Sequence, residues 1–239
     1  MVEITKDPKF RAELLEKIRT REFSDRTGIH MSDLNYCLNK QALRRQFPIE
    51  NTDREVLLFS GGWATQRWLT GKDEDEPERE VDGIIVTLDC TTDYKGEEIP
   101  WELKSTYQST SRAIEDNPAW IRQIAAQCYV KGVTDAKLTR LSWMGAWKWV
   151  FNMSPKPEKL ARLIEEHGEN WDEHPTLEAY HLAFTNEELL RNWEWFLARR
   201  LLFVGLLEDE ELLSKALAIP SGQTYECEYC GYAGKECTK

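Results

Sequence analysis

Residues 81–106 read VDGIIVTLDCTTDYKGEEIPWELKST, and this stretch decides the fold class. Val81 to Asp89 is rich in Ile, Val and Leu and reads as a strand. Thr91 to Glu98 carries Asp93, Lys95 and Gly96 and reads as a hairpin connection, with Ile99 to Thr106 as the returning strand. Side chains alternate along a strand, so Glu102 and Lys104 share one face while Trp101 and Leu103 share the other. A carboxylate and an ammonium on one face of an otherwise apolar strand suit phosphodiester hydrolysis. The carboxylate holds Mg²⁺ or Mn²⁺ through hard oxygen, and the lysine orients water or steadies developing negative charge. That chemistry needs a second carboxylate from the neighbouring strand. Asp89 lies thirteen positions before Glu102, where the hairpin brings it alongside, and Asp82 is the reserve.

Outward from the hairpin, helices flank the strands. Asp7 caps a helix with Pro8 at its first position and Phe10, Leu14 and Ile18 on one face. Ser32 caps a second helix carrying Leu34, Cys37, Leu38 and Leu43. Thr52 and Glu55 form a capping box for a third, through Trp63 and Trp68. Its Gly61-Gly62 pair lowers helix propensity and implies close packing or approach to a ligand. Residues 73–77 form an acidic, solvated loop. Asn117-Pro118 starts a helix that Gly132 ends. On it Gln123 and Gln127 are four apart and share a face, where uncharged amides suit a site that meets a phosphate. Lys137 to Trp149 reads as a strand region broken at Gly145. Ser154 to His167 reads as a helix and Leu177 to Phe184 as a strand. Thr185 with Glu188 opens a long helix that buries Leu189, Trp193, Phe196 and Leu197. The fold class is α/β, a mixed central sheet flanked by helices, in one domain over 1–239.

Composition narrows the function. The chain has 239 residues, with 31 Lys and Arg against 42 Asp and Glu, a net charge of −11 that argues against a basic coat protein. The first thirty residues hold seven Lys and Arg and six Asp and Glu and no apolar core, which argues against a secretory signal. No apolar run is long enough for a membrane span. Nothing suggests secretion, so the six cysteines do not read as a disulfide framework. Three of them fall in the last thirteen residues as Cys227-x2-Cys230-x6-Cys237, a spacing that grips a metal. Zinc and iron–sulfur clusters both want four ligands, so a fourth thiolate comes from Cys37, Cys90 or Cys128.

The order of these features resembles the iron–sulfur RecB-like exonucleases of the PD-(D/E)XK superfamily, typified by the CRISPR-associated exonuclease. That family has an early cysteine on a helix, a Gly-x-x-x-His motif, an Asp, Glu-x-Lys on the next strand, a helical Gln-x-x-x-Tyr and a three-cysteine tail. Cys37, following Ser32 to Tyr36, matches the first piece. Asp89, Glu102 and Lys104 match the core, and Gln123 the helix motif. Ile219-Pro220 leading into Cys227 to Tyr232 matches the tail. The resemblance covers roughly Ser32 to Cys237. It departs from the family at Gln66, which stands at the histidine position, and at Gln127, which stands at the tyrosine position, with Tyr129 two residues on.

The resemblance implies a PD-(D/E)XK core with a helical and cluster-bearing subdomain. The N-terminal part (about 1–72) and the tail (about 220–239) would be joined by a 4Fe–4S cluster on Cys37, Cys227, Cys230 and Cys237, with zinc as the alternative occupant. It implies a Mg²⁺- or Mn²⁺-dependent exonuclease acting on single-stranded or unwound DNA in CRISPR adaptation, recombination or phage DNA processing, in the cytoplasm and alongside proteins of those systems. Asp89, Glu102 and the Leu103 carbonyl would hold the ion, with Gln66 a doubtful fourth. Lys104 would position water and Gln123 would order the site. Arg44, Arg45, Arg112, Arg122 and Gln127 would meet DNA. The alternative is a DNA-binding or complex-forming iron–sulfur protein with a decayed nuclease site. A plain zinc-ribbon module would fit the tail but give the hairpin carboxylates no role.

Overall fold

The structure, a computed structural model, describes residues 5–22, 27–72, 77–107, 112–143, 157–169, 175–209 and 211–238. Its centre is a four-stranded mixed sheet of β3 (Cys90–Tyr94), β4 (Glu97–Thr106), β5 (Asp135–Ser142) and β6 (Thr176–Ala183), in that spatial order. β3 pairs with β4 and β5 with β6 antiparallel, whereas β4 and β5 run parallel. Parallel neighbours need a long crossover. The helix α5 (Pro118–Lys131) supplies it and packs on β4 and β5. Pro118 sits at its first turn and Gly132 closes it in the left-handed region, at φ 78°, as the sequence predicts.

The hairpin differs from its sequence reading. Val81 to Asp89 is not one strand. It divides into β1 (Arg79–Val81) and β2 (Ile84–Val86), which pair with each other around a turn at Asp82-Gly83, both with positive φ. Most of residues 91–98 is ladder, and the connection shrinks to Lys95-Gly96, again both with positive φ. A two-residue turn of that hand matches the twist of the flanking strands. Asp82 leaves contention as the reserve carboxylate, because its Oδ2 accepts from the Trp193 indole at 2.9 Å.

The α1 helix (Pro8–Glu22) is capped by Asp7, whose Oδ1 accepts the Phe10 N–H at 2.9 Å. Its expected face is overturned. Phe10 and Leu14 are exposed, Ile18 is half-buried and Leu15 is buried, because α1 packs along one side of α4 (Asp53–Thr70). The Thr52–Glu55 capping box opens α4 as expected. A Cβ added to Gly61 or Gly62 would meet nothing within 4 Å among the described residues outside the helix's own backbone, so close packing within the chain does not account for that pair. The second predicted helix is two. They are α2 (Met31–Asn35), capped by His30 rather than Ser32, and α3 (Leu38–Gln46), whose N-cap is Cys37. The break has a physical cause. Arg199 takes the Leu34 and Tyr36 carbonyls, and Glu226 accepts the Cys37 N–H at 3.1 Å, so these backbone groups are satisfied from outside the helix.

The helix α6 (Pro157–His167) and strand β6 fall where expected, and Thr185–Glu188 caps α7 (Asn186–Asp209). The acidic stretch 73–76, Gly145, Trp147, Trp149 and Ser154 lie outside the described residues. One core joins α2 and α3 to β2 and α7 through Leu34, Leu38, Ile84, Phe196 and Phe203. A second joins the sheet to α5 through Ile99, Leu138 and Ile124. A short helix, α8 (Lys215–Ala218), leads into the tail, whose Tyr232 hydroxyl donates to the Phe47 carbonyl at 2.7 Å. Among the described residues no helix is long and apolar enough to cross a membrane.

Candidate functional site

The β3–β4 register decides the site. Cys90 pairs with Trp101, so the residue before Cys90 falls beside Glu102, and that residue is Asp89. Its Oδ2 accepts the Leu103 N–H at 2.9 Å. Glu102 is 1% exposed. Its Oε1 accepts from the Lys104 ammonium and from Gln123 Nε2 at 2.7 Å, and its Oε2 accepts from Gln127 Nε2, also at 2.7 Å. Gln123 Oε1 accepts from Lys104 Nζ at 3.0 Å, so one amide holds both members of the ion pair. Burial by itself would push the lysine's pKa down, but the Glu102 and Asp89 charges outweigh it and hold it above its ordinary value. Lys104 is therefore a fixed cation. It can orient and stabilise charge but cannot act as a base at neutral pH.

Gln66 reaches this place from α4, and its Nε2 donates to the Asp89 carbonyl at 3.2 Å. Asp89, Glu102, Lys104, Gln123 and Gln66 are thus brought together. Gln127 is brought there too, but 1% exposed and with its amide on Glu102 and Thr87. Its expected contact with DNA is corrected, because an interior residue cannot reach a strand in solvent.

The other candidate DNA contacts divide. Arg44 is exposed, and so is Arg112, whose guanidinium donates to the Asp116 carbonyl at 2.8 Å. Arg45 is spent on the Gly28 carbonyl at 2.7 Å and Asp33 at 2.9 Å, and lies over the Phe203 ring. Arg122 is tied to Asn35 and Gln223 and stacks on Trp195, so it joins α2, α5 and the tail rather than facing solvent.

A second locus lies where the tail folds back on α3. Cys37, Cys227, Cys230 and Cys237 together line a cavity of about 260 Å³, with Lys40 and Glu226. Cys90 and Cys128 do not reach it. Both are buried elsewhere, and the Cys128 thiol is pushed up to about 12 by burial, with Asp135 adding to the effect. Burial likewise raises the Cys37 thiol and the Glu226 carboxyl. Glu226 Oε2 holds the Cys37 N–H, while its buried Oε1 has no donor among the described residues. Four cysteine side chains around one cavity are a donor set that suits a cationic occupant once they are thiolates. Among the described residues no three His, Cys, Asp or Glu side chains stand close enough to hold a single metal ion, here or at Glu102.

No protein-family profile matches the chain, and no curated protein does. Solved structures do. The crystal structure of SSO0001 aligns over 92% of both chains, at 12% identity and a TM-score of 0.50. A phage-related exonuclease from Haemophilus somnus 129PT aligns over 78% of this chain and 98% of its own, at 11% identity and a TM-score of 0.44. The first likeness bears on the fold. The overall fold is similar over 92% of both chains without close sequence relationship.

Sequence reasoning missed Arg199 and Glu226. Arg199 is 5% exposed and donates to the carbonyls of Leu34, Tyr36, Leu217 and Ala218, tying α7 to both sides of the cysteine cavity. Burial, with Arg122 nearby, lowers it to about 10, so it stays charged at neutral pH. The signal was available. Arg199 falls three after Phe196 and four before Phe203, on the apolar stripe of α7.

Proposed function

We propose that this chain is a Mg²⁺- or Mn²⁺-dependent deoxyribonuclease of the RecB-like kind, hydrolysing phosphodiester bonds of single-stranded or unwound DNA. The observation that carries the reading is the Asp89–Glu102–Lys104 constellation, with Asp89 immediately before β3, Glu102 on β4 and the amine held by Glu102 and Gln123. Two carboxylates are enough for Mg²⁺, which keeps several waters and takes further oxygens from backbone and phosphate. Asp89, Glu102 and the Leu103 carbonyl would hold the ion. What it supplies when bound is polarisation of the scissile phosphate and a more acidic water. Lys104 steadies the negative charge that grows on the phosphate, and Gln123 keeps the lysine on that side of Glu102. Gln66 braces the Asp89 carbonyl, which keeps the Asp89 backbone in place. Exposed Arg44 and Arg112 offer local positive charge on an acidic chain.

The tail cysteines with Cys37 would hold a 4Fe–4S cluster. Four cysteines from α3's N-cap and the tail lining one cavity support a thiolate-held group there, with zinc as the alternative occupant. Its role would be structural, joining the α2–α3 region to the tail over the carboxylate site. The fold and site fit DNA processing in CRISPR adaptation, recombination or a phage, with proteins of those systems as partners.

The deciding assay is digestion of labelled single- and double-stranded DNA with Mg²⁺ or Mn²⁺, before and after EDTA. Metal-dependent shortening that EDTA stops is the expected result. Intact DNA under every condition, with retained DNA binding, would instead assign the chain to the decayed-site reading.

A further inference from the structure

The amide of Gln127 has a fixed orientation. Its Nε2 donates to Glu102 Oε2 at 2.7 Å and to the Thr87 carbonyl at 3.3 Å. A flipped amide would turn its own oxygen against both of these acceptors. The consequence is that Gln127 Oε1 lies buried with no donor among the described residues. The amide thus leaves one buried acceptor of its own unpaired while it serves two others, Glu102 Oε2 and the Thr87 carbonyl. Of these two the charged one is Glu102, and the contact with Glu102 is the one that bears on the site.

The acceptor sites of Glu102 complete the argument. A carboxylate has roughly four lone-pair sites, two on each oxygen. Lys104 and Gln123 both donate to Oε1. Gln127 donates once to Oε2, so the remaining acceptor site is on that oxygen. We propose that Gln127 is a positioning residue of the carboxylate site, whose amide makes Glu102 Oε2 the oxygen offered to a divalent ion and limits Glu102 to one oxygen. The inference rests on the metal-dependent reading above and adds to it a residue buried out of reach of DNA.

The test measures Mn²⁺ binding by the full chain, by calorimetry and by loss of the free-ion paramagnetic resonance signal, for the unsubstituted protein, Gln127→Met and Gln127→Asn. Met keeps the volume and removes the amide, while Asn keeps the amide and cannot reach Glu102. Both substitutions should weaken Mn²⁺ binding by about 10- to 100-fold, the usual loss when a partner of a metal ligand is removed. Losing the amide also takes a donor from Glu102 Oε2 and the Thr87 carbonyl, so the metal-free melting point of Gln127→Met should fall. Mn²⁺ affinity is therefore read at a temperature where every variant is fully folded, which separates positioning from a merely structural role. Cleavage by both variants should recover at saturating Mn²⁺, as a raised metal requirement rather than a lost rate. If Gln127→Met binds Mn²⁺ as tightly as the unsubstituted chain, the proposal is overturned. If that variant does not fold, Gln127→Asn decides by the same criterion. If the unsubstituted protein binds no Mn²⁺, the carboxylate-site reading falls and this inference falls with it. Tight binding by all three proteins removes only the role of Gln127.

Discussion

Asp89 Oδ2 accepts the backbone N–H of Leu103 at 2.9 Å, so the acid that immediately precedes β3 is bonded to the residue between Glu102 and Lys104 on β4. This contact makes the hairpin a rigid holder. Asp89 cannot swing away without breaking a hydrogen bond, and the peptide that carries both other site residues is fixed by the same bond. A constellation built on paired strands is held more tightly than one on loops.

Lys104→Ala should reduce metal-dependent DNA cleavage by about 10²–10³-fold, the usual loss when one donor to a developing anion is removed. The substitution leaves the cysteine cavity untouched, so the visible absorbance of the anaerobically purified protein should not change. Activity equal to that of the parent chain would remove Lys104 from the mechanism.

The pH dependence follows from the same lysine. Its folded-state pKa is raised by Glu102 and Asp89, beyond what burial takes away. A raised pKa in a cationic group gives stability that is fully present below the unfolded value and is lost as pH rises through the folded one. Lys104 thus stays protonated across the neutral and moderately alkaline range. The melting point of the metal-free protein should show no fall assignable to this group up to about pH 10, below the ordinary lysine value. A melting point that falls on an apparent pKa near 8, and loses that limb in Lys104→Arg, would contradict the assignment.

The strand that returns to Thr106 and the long helices were legible because local chemistry specifies them. Pro118, Gly132 and the two Thr–Glu capping boxes mark helix ends that appear where they point. The β1–β2 turn was missed because the apolar run from Ile84 to Leu88 dominates its neighbourhood, while Asp82-Gly83 is only two residues long. The break at Tyr36 was missed for a different reason. Its backbone partners, Arg199 and Glu226, are more than 160 positions away, and no local pattern carries them. Burial of α1 was misjudged because a helix packed on one neighbour buries a narrower stripe than its apolar positions offer. At the site, two-residue alternation paired Glu102 with Lys104. The amide network from α5 needed the packing of helix on sheet.

Arg199→Met should destabilise the fold well beyond a surface substitution. It leaves the carbonyls of Leu34, Tyr36, Leu217 and Ala218 without their donor in a buried place. Orphaning buried acceptors costs about 1–3 kcal/mol for each group that water cannot reach, so a loss of about 3 kcal/mol is expected overall. For a domain of this size that corresponds to a melting point lower by about 6–12 °C. Limited proteolysis should also cut the 211–238 region sooner, because Arg199 is what ties Leu217 and Ala218 to α2. An unchanged melting curve would mean the arginine is not the tie.

Thiol chemistry tests the cysteine cavity directly. In protein stripped of any bound metal, Cys227, Cys230 and Cys237 are half-exposed and should alkylate first at pH 8. Cys37 should follow slowly, because burial raises its thiol and leaves little thiolate. Cys90 and Cys128 should stay unlabelled in the folded chain, the latter with its thiol pushed up to about 12. Anaerobically purified protein should be brown, with absorbance near roughly 400 nm from the cluster, and all four cavity thiols should then be protected together. Cys37→Ser should lose that colour although it lies 190 positions before Cys227, the first tail cysteine. Mass spectrometry of the labelled peptides reads each site separately. If Cys37 labels at the same rate with and without the chromophore, it is not a ligand. The link between the two ends of the chain then rests on non-covalent contacts such as Glu226 on the Cys37 N–H, Tyr232 on the Phe47 carbonyl and Arg199 between Tyr36 and Ala218.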